Sequence, residues 1–318
     1  MYEGFCHSVI GASHVAKGTV CQDFSNFQSN EFYSIAVVAD GHGSKKHFRS
    51  DVGSRLAVRA TLRTVRNFYR DPKEFEENFQ ENPKDIITKI EKQIISRWNR
   101  EVSKHYRKNP VTDEEKAPFT EEQYESIRME SIYGTTLIAV VMGKDYVFGM
   151  QIGDGSLVII DEDGEAEMPI ADDESAPANL TASMCNSNAI DMFSNFYLMD
   201  NPMAVFVSTD GLFTSFRSED DFLDYHTIIA SHLEEMPNFD RVIIRNLTKR
   251  TNFGTQDDIS LSCLFNKTLV SEGAESLKHQ VEKNKARAEM RKAEHQAKIA
   301  KQKLKNKLRR NPNIAVEE

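Results

Sequence analysis

Three aspartates in this sequence share a setting: each closes a short apolar run and opens a turn. They are Asp40 in Val38-Ala-Asp-Gly-His-Gly43, Asp210 in Ser208-Thr-Asp-Gly-Leu212 and Asp257 in Gly254-Thr-Gln-Asp-Asp-Ile-Ser260; Asp154 joins them in Gly153-Asp-Gly155. One Asp beside a glycine is an ordinary turn former. Repeated at the ends of distant strands, carboxylates become candidate ligands for hard cations. Magnesium and manganese take carboxylate, carbonyl and water oxygens and keep several waters, so few protein ligands suffice. Two such ions about 3.5–4 Å apart, bridged by one carboxylate, let a water between them ionise near neutral pH and attack phosphorus. Asp40 is the candidate bridge. His42, two residues on, carries an imidazole whose ordinary pKa near neutrality suits a general acid.

The flanking segments supply the elements that must position these groups. Phe32 to Ala39 reads as a buried strand, and Val58, Leu62, Val65 and Tyr69 fall at helical spacing, as do Ile87, Ile90, Ile94 and Trp98. Asn109 to Glu125, with Pro110 and Pro118, reads as a surface connection. Thr135 to Met142, Tyr146 to Ile152 and Leu157 to Asp161 suggest an antiparallel meander through two short turns, and Gly134-Thr135-Thr136 a close-packed strand start. Glu162 to Pro202, centred on Ala171 to Pro177, is long and irregular enough for a flap where selectivity is set. Ala204 to Ser208 is a strand, Phe222, Ile229, Leu233 and Met236 suggest a helix, and Ile259, Leu261, Cys263 and Phe265 alternate as a half-buried last strand. Strands and helices in blocks predict an α+β fold.

The 318 residues divide by charge. Residues 267–318 hold 14 Lys and Arg against 7 Asp and Glu, leaving 26 against 42 in residues 1–266. We therefore expect a catalytic domain over 1–266 and a basic tail over 267–318, an exposed helix or partly disordered. An acidic body argues against nucleic acid as its ligand. For the tail, a solvated helix and docking to an acidic partner both stand. Cys6, Cys21, Cys185 and Cys263 form no CxxC pair or disulfide framework, which fits a reducing compartment. No stretch has the length and apolarity of a membrane span, and the first residues lack a basic, apolar leader, so a cytoplasmic location is expected.

Five strings, in order, carry a family resemblance: Val38 to Gly43, Tyr133-Gly-Thr-Thr136, Gly153 to Gly155, Ser208 to Leu212 and Gly254 to Ser260 resemble the motifs of the type 2C metal-dependent Ser/Thr protein phosphatases. Gly11-Ala-Ser-His14 through Cys21-Gln-Asp23 resembles the opening motif in a bacterial-style version. The resemblance implies a four-layer αββα sandwich of two antiparallel sheets, with two Mn2+ or Mg2+ ions in a cleft at one end. It implies that Asp40 bridges both ions, the Gly41 carbonyl joins one, Asp210 and Asp257 complete the other, and Asp154 helps bind a looser third. Gln22 and Asp23 stand where the family often has a Glu-Asp pair, so one ligand here is neutral or acts through water. Gly18 occupies the place of the phosphate-binding arginine, leaving Lys17 or His14 for that contact; a lysine lacks the bidentate fork.

The function so implied is hydrolysis of phosphoserine and phosphothreonine in proteins, dephosphorylation in signalling, by direct attack of metal-activated water without a cysteine nucleophile. The alternative is a protein of this fold, weak or inactive in catalysis, that binds phosphorylated partners. The departures at Gly18 and Gln22 motivate it.

Overall fold

The computed structural model describes residues 2–170, 181–235 and 238–310. Its first half runs β1 (Tyr2–Val9), α1 (Ala12–Lys17), β2 (Phe24–Ser29), β3 (Ser34–Ala39), α2 (Ser50–Phe68), α3 (Pro72–Glu81), α4 (Pro83–Lys108), α5 (Asp113–Lys116), α6 (Glu121–Glu125), α7 (Met129–Ile132), β4 (Leu137–Met142) and β5 (Val147–Ile152). Then follow β6 (Ser156–Ile160), β7 (Ala166–Glu167), β8 (Ser194–Leu198), β9 (Ala204–Ser208), α8 (Asp210–Phe213), α9 (Glu219–Ala230), α10 (Asp240–Arg250), β10 (Ile259–Asn266), α11 (Lys267–Glu272) and α12 (Ala274–Arg310).

The strands make two antiparallel five-stranded sheets, ordered β1-β10-β9-β6-β7 and β2-β3-β4-β5-β8. Period-two alternation explains why the central strands read as unbroken apolar runs. On β3, Ala36 and Val38 join Ile138, Val140, Val205, Val207 and Leu264 between the sheets. Ile35, Val37 and Ala39 face outward under Val58, Val65, Ile90, Ile94 and Trp98 of α2 and α4. The other sheet is covered by Phe222, Ile229, Ile243 and Leu247 of α9 and α10. Each such side chain contributes about 1.5–3 kcal/mol on burial. The result is the four-layer αββα sandwich that the resemblance implies.

Several expectations differ in detail. β4 and β5 pair as a hairpin, but β6 pairs with β9 and β7 in the opposite sheet, so the third segment does not continue a meander. Gly153-Asp154-Gly155 is a crossing between sheets: Gly153 adopts φ 112°, and a Cβ on Gly155 would meet Ile138 at 2.4 Å and the Ser208 carbonyl oxygen at 2.5 Å. β10 is buried on both faces. Its serines find partners on the adjacent strand β1, where Ser262 donates to the Phe5 carbonyl (3.1 Å) and Ser260 bonds the Ser8 hydroxyl (2.6 Å), so polar residues sit there without stranded groups.

The connection after α4 holds two single-turn helices, each closed by a capping box, Thr112 with Glu115 and Thr120 with Gln123. One turn is too short to show periodicity. Arg49 binds both Glu115 carboxylate oxygens (2.6 and 2.7 Å) and the Asn109 carbonyl (2.7 Å), fastening this segment to the start of α2. Past Ala230 the helical pattern stops at a short turn, Leu233–Glu235, and α10 follows; Met236 lies outside the described residues. So do residues 171–180 of the expected flap and 311–318 of the tail. α12 is exposed over residues 297–303, yet its first turns pack on the body. Leu277, Gln280 and Asn284 are buried there, and Arg291 pairs with Asp220 (2.7 Å) and Asp224 (3.1 Å) of α9.

Candidate active site

Asp40 follows β3 directly, and its backbone is clamped from two sides. Its N–H donates to Thr136 Oγ1 (3.1 Å), while its carbonyl accepts from the Thr135 hydroxyl (2.7 Å) and the Thr136 N–H (2.8 Å). The Gly134-Thr135-Thr136 string therefore sets the position of Asp40 rather than only starting a strand. Gly41 bridges to Thr135, and a Cβ there would lie 2.7 Å from the Gln22 carbonyl oxygen and 2.8 Å from Ser50 backbone atoms. Only glycine fits.

Asp210 starts α8 immediately after β9, and its carboxyl meets that of Asp40 closely enough for one proton to bridge them. Burial first, then the charges of Asp23 and Asp210 with a contribution from Asp257, pushes Asp40 well above the usual carboxylate range. Asp210 is raised too, by burial and then by Asp154 and Asp257, although its contact with Asp40 and its backbone bond to Gly211 pull the other way. Asp23, 5% exposed, accepts from the Thr209 hydroxyl (2.7 Å) and is raised by burial. Asp40 thus lies within electrostatic reach of Asp210, Asp23 and Asp257, and Asp210 within reach of Asp154.

This set fits divalent cations on chemical grounds. Buried carboxylates repel one another, the largest influences on Asp40 are burial and neighbouring carboxylates, and Asp210 Oδ1 is buried without a hydrogen-bond partner among the described residues. No group of three His, Cys, Asp or Glu side chains among the described residues is placed to hold an ion by itself.

The His42 ring stands 4.9 Å from that of His47, and its Nε2 bonds the Ser183 hydroxyl at 2.8 Å. Burial, then the neighbouring His47, lowers its pKa to about 4 despite the opposing charge of Asp154, below the near-neutral value expected from its type. Asp154, in the crossing, accepts from the Thr181 hydroxyl (2.9 Å).

The opening motif is organised by Asp258, which sequence reasoning passed over in favour of Asp257. Asp258 accepts from the Gly11 N–H (2.6 Å), His14 Nδ1 (2.9 Å) and the Gln22 N–H (2.6 Å). His14 is thereby tied to Asp258, and Lys17, at the end of α1, is exposed. The Gln22 amide donates to the Ser50 hydroxyl (2.8 Å), so its nitrogen is already engaged. Burial raises the Cys21 thiol, which keeps it protonated and leaves no thiolate nucleophile. The doublet Asp257-Asp258 was the only sequence signal for the hub; Ser183 gave none.

Solved structures that share this fold include bacterial serine/threonine phosphatases. The serine/threonine phosphatase of S. agalactiae superposes with a TM-score of 0.51 at 17% identity, covering 84% of this chain and 100% of that one. PppA, described as a key regulatory component of T6SS in Pseudomonas aeruginosa, gives 0.50 at 17%, covering 83% and 97%. The PstP catalytic domain, solved in complex with two manganese ions, gives 0.50 at 14%, covering 83% and 97%. A family model described as Protein phosphatase 2C matches residues 10–244, and the chain belongs to that family. Comparison with curated proteins finds no match. No helix among the described residues is long and apolar enough to cross a membrane.

Proposed function

We propose that this phosphatase hydrolyses phosphoserine and phosphothreonine in proteins, using two Mn2+ or Mg2+ ions. Asp40 and the Gly41 carbonyl, with Asp210 and Asp257, would hold the pair; Asp23 and Gln22 support it from the opening motif, and Asp154 serves a third ion. Such ions supply Lewis acidity that activates water and neutralises charge on the phosphoryl oxygens. The chain contributes the rest. Thr135 and Thr136 hold Asp40 at the strand end, His42 gives a proton to the departing seryl or threonyl oxygen, and His14 and Lys17 on α1 face the phosphate. The basic C-terminal helix is the docking element for a partner, and free cysteines suit a cytoplasmic setting.

One observation carries this reading: Asp40 and Asp210, at the ends of strands in different sheets, lie close enough for each carboxyl to influence the other, and Asp210 Oδ1 is buried without a hydrogen-bond partner among the described residues. Manganese-dependent hydrolysis of a phosphothreonine peptide by the wild type, lost in Asp210→Asn, supports it. Wild-type turnover no better than that of the variant at saturating manganese rejects it. The binding-only reading draws on the engaged Gln22 amide and the glycine at position 18. It would be favoured by manganese raising the melting temperature of a chain that releases no phosphate.

A further inference from the structure

Among the groups around the site, one hydroxyl has contacts that the reaction outlined above leaves unexplained. Ser183 is 4% exposed and lies beside His42 although 141 residues separate them. Its place is not left to chance. The Ser183 N–H donates to Asn186 Oδ1 (2.8 Å), the Met184 N–H donates to the Thr135 carbonyl (2.9 Å), and Met184, Cys185 and Ala189 are buried in the helix-side core.

One arrangement of the protons serves the carbonyl and the ring together. Ser183 Oγ lies 2.8 Å from His42 Nε2 and 3.1 Å from the Thr135 carbonyl oxygen. A carbonyl only accepts; with the hydroxyl proton turned to Thr135, and Cys185 Sγ a further neighbour at 3.3 Å, Oγ offers its lone pair to an Nε2–H. His42 is then the Nε2–H tautomer when neutral, and the same acceptor suits the imidazolium. Nδ1 has no hydrogen bond among the described residues and remains the atom that exchanges a proton with substrate. Thr135 also holds Asp40 through its own hydroxyl (2.7 Å), so one residue ties the carboxylate and the imidazole together.

We propose that Ser183 is a positioning residue: through the relay His42–Ser183–Thr135 it holds the Nε2–H and aims the ring, so that the His42 imidazolium passes its Nδ1 proton to the leaving oxygen and is left as the neutral Nε2–H form. This rests on the phosphatase reading above and adds to it.

The test compares two substrates in one enzyme preparation. A phosphothreonine peptide releases a poor alkoxide that needs the proton; p-nitrophenyl phosphate releases a stable phenolate that scarcely does. Ser183→Ala should lower kcat on the peptide by roughly tenfold and on the aryl ester several-fold less, with KM little changed. The ratio of the two activities does not depend on how much enzyme is folded. Ser183→Thr, which keeps the hydroxyl, should restore the ratio, and Ser183→Ala should add nothing in a His42→Ala background. In the metal-free chain, 15N shifts of the His42 ring should report the Nε2–H tautomer and move in Ser183→Ala.

Equal losses on both substrates, a further loss in the His42→Ala background, or a dominant Nδ1–H tautomer in the wild type would each overturn the proposal. A wild type inactive on both substrates with manganese overturns the phosphatase reading and this inference with it. An active wild type whose Ser183→Ala variant keeps the ratio overturns this inference alone.

Discussion

Between Asp40 and His42 the backbone has no room for a side chain, which makes Gly41→Ala an informative perturbation. The added Cβ would stand 2.7 Å from the Gln22 carbonyl oxygen and 2.8 Å from the Ser50 backbone, whereas ordinary contact begins at 3.4 Å. All these obstacles are main chain, so no rotamer change relieves them, and the peptide must move by about 0.7 Å. Overpacking of this kind costs about 1–3 kcal/mol of stability. Misplacement of reacting groups by about 1 Å costs on the order of 100-fold in rate, so we expect kcat/KM on a phosphothreonine peptide with manganese to fall roughly 10- to 100-fold. Gly43→Ala is the matched control: two residues away in the same turn, its Cβ meets only Gln22 Oε1, at 3.6 Å. Its activity should stay within about twofold of wild type. Equal damage from the two substitutions, or full activity in Gly41→Ala, would refute the argument that backbone approach at Gly41 places the flanking side chains.

Further outcomes follow from other parts of the molecule. Asp40→Asn and Asp210→Asn should each abolish the manganese-induced rise in melting temperature while the metal-free protein melts no lower, because a repelled buried charge has been removed; a large drop would mean that these carboxylates are structural. Glu91 is 2% exposed and its carboxyl accepts from Asn195 (2.9 Å); burial raises its pKa to about 7, with that bond opposing. A raised carboxyl pKa gives stability that is present below the unfolded value near 4.5 and lost as pH climbs to about 7. Glu91→Gln should therefore gain about 3 kcal/mol at pH 8 but under about 1 kcal/mol at pH 5 in urea unfolding, and an equal gain at both would contradict the assignment. Ending the chain after Gly273 strips Leu277 from the body and should cost about 2–4 kcal/mol. Ending it after Arg291 should cost under about 1 kcal/mol, as read by thermal melts.

What the sequence made legible was local. β3, β4, β5 and β9 announced themselves because both their faces are buried, and the carboxylates at their ends because turn residues follow at once. The sandwich itself came through the order of short motifs rather than through periodicity. Pairings made over long distance left little trace: β6 crosses to the other sheet through a turn that reads like a hairpin, and β1 pairs with β10 from the opposite end of the chain. The same holds within the site. Asp258 and Ser183 act through partners 236 or more and 141 residues away, respectively, and neither sits in a spacing that betrays it. The serines of β10 looked solvent-facing because alternation cannot tell water from a hydroxyl on the adjacent strand. Gln22 read as a ligand by position alone, whereas Ser50 claims its amide nitrogen only once α2 is in place.

The fastening at Asp258 has a consequence for how the protein comes to life. Its carboxylate joins Gly11 and Gln22 to a strand that is made last and inserted between β1 and β9. A ribosome must release residue 266 before β1 can join the sheet through β10 and before the opening motif is drawn against the rest. Chains cut short upstream of that point would carry most of the acidic residues but lack both Asp258 and the strand that draws Gly11 and Gln22 into place.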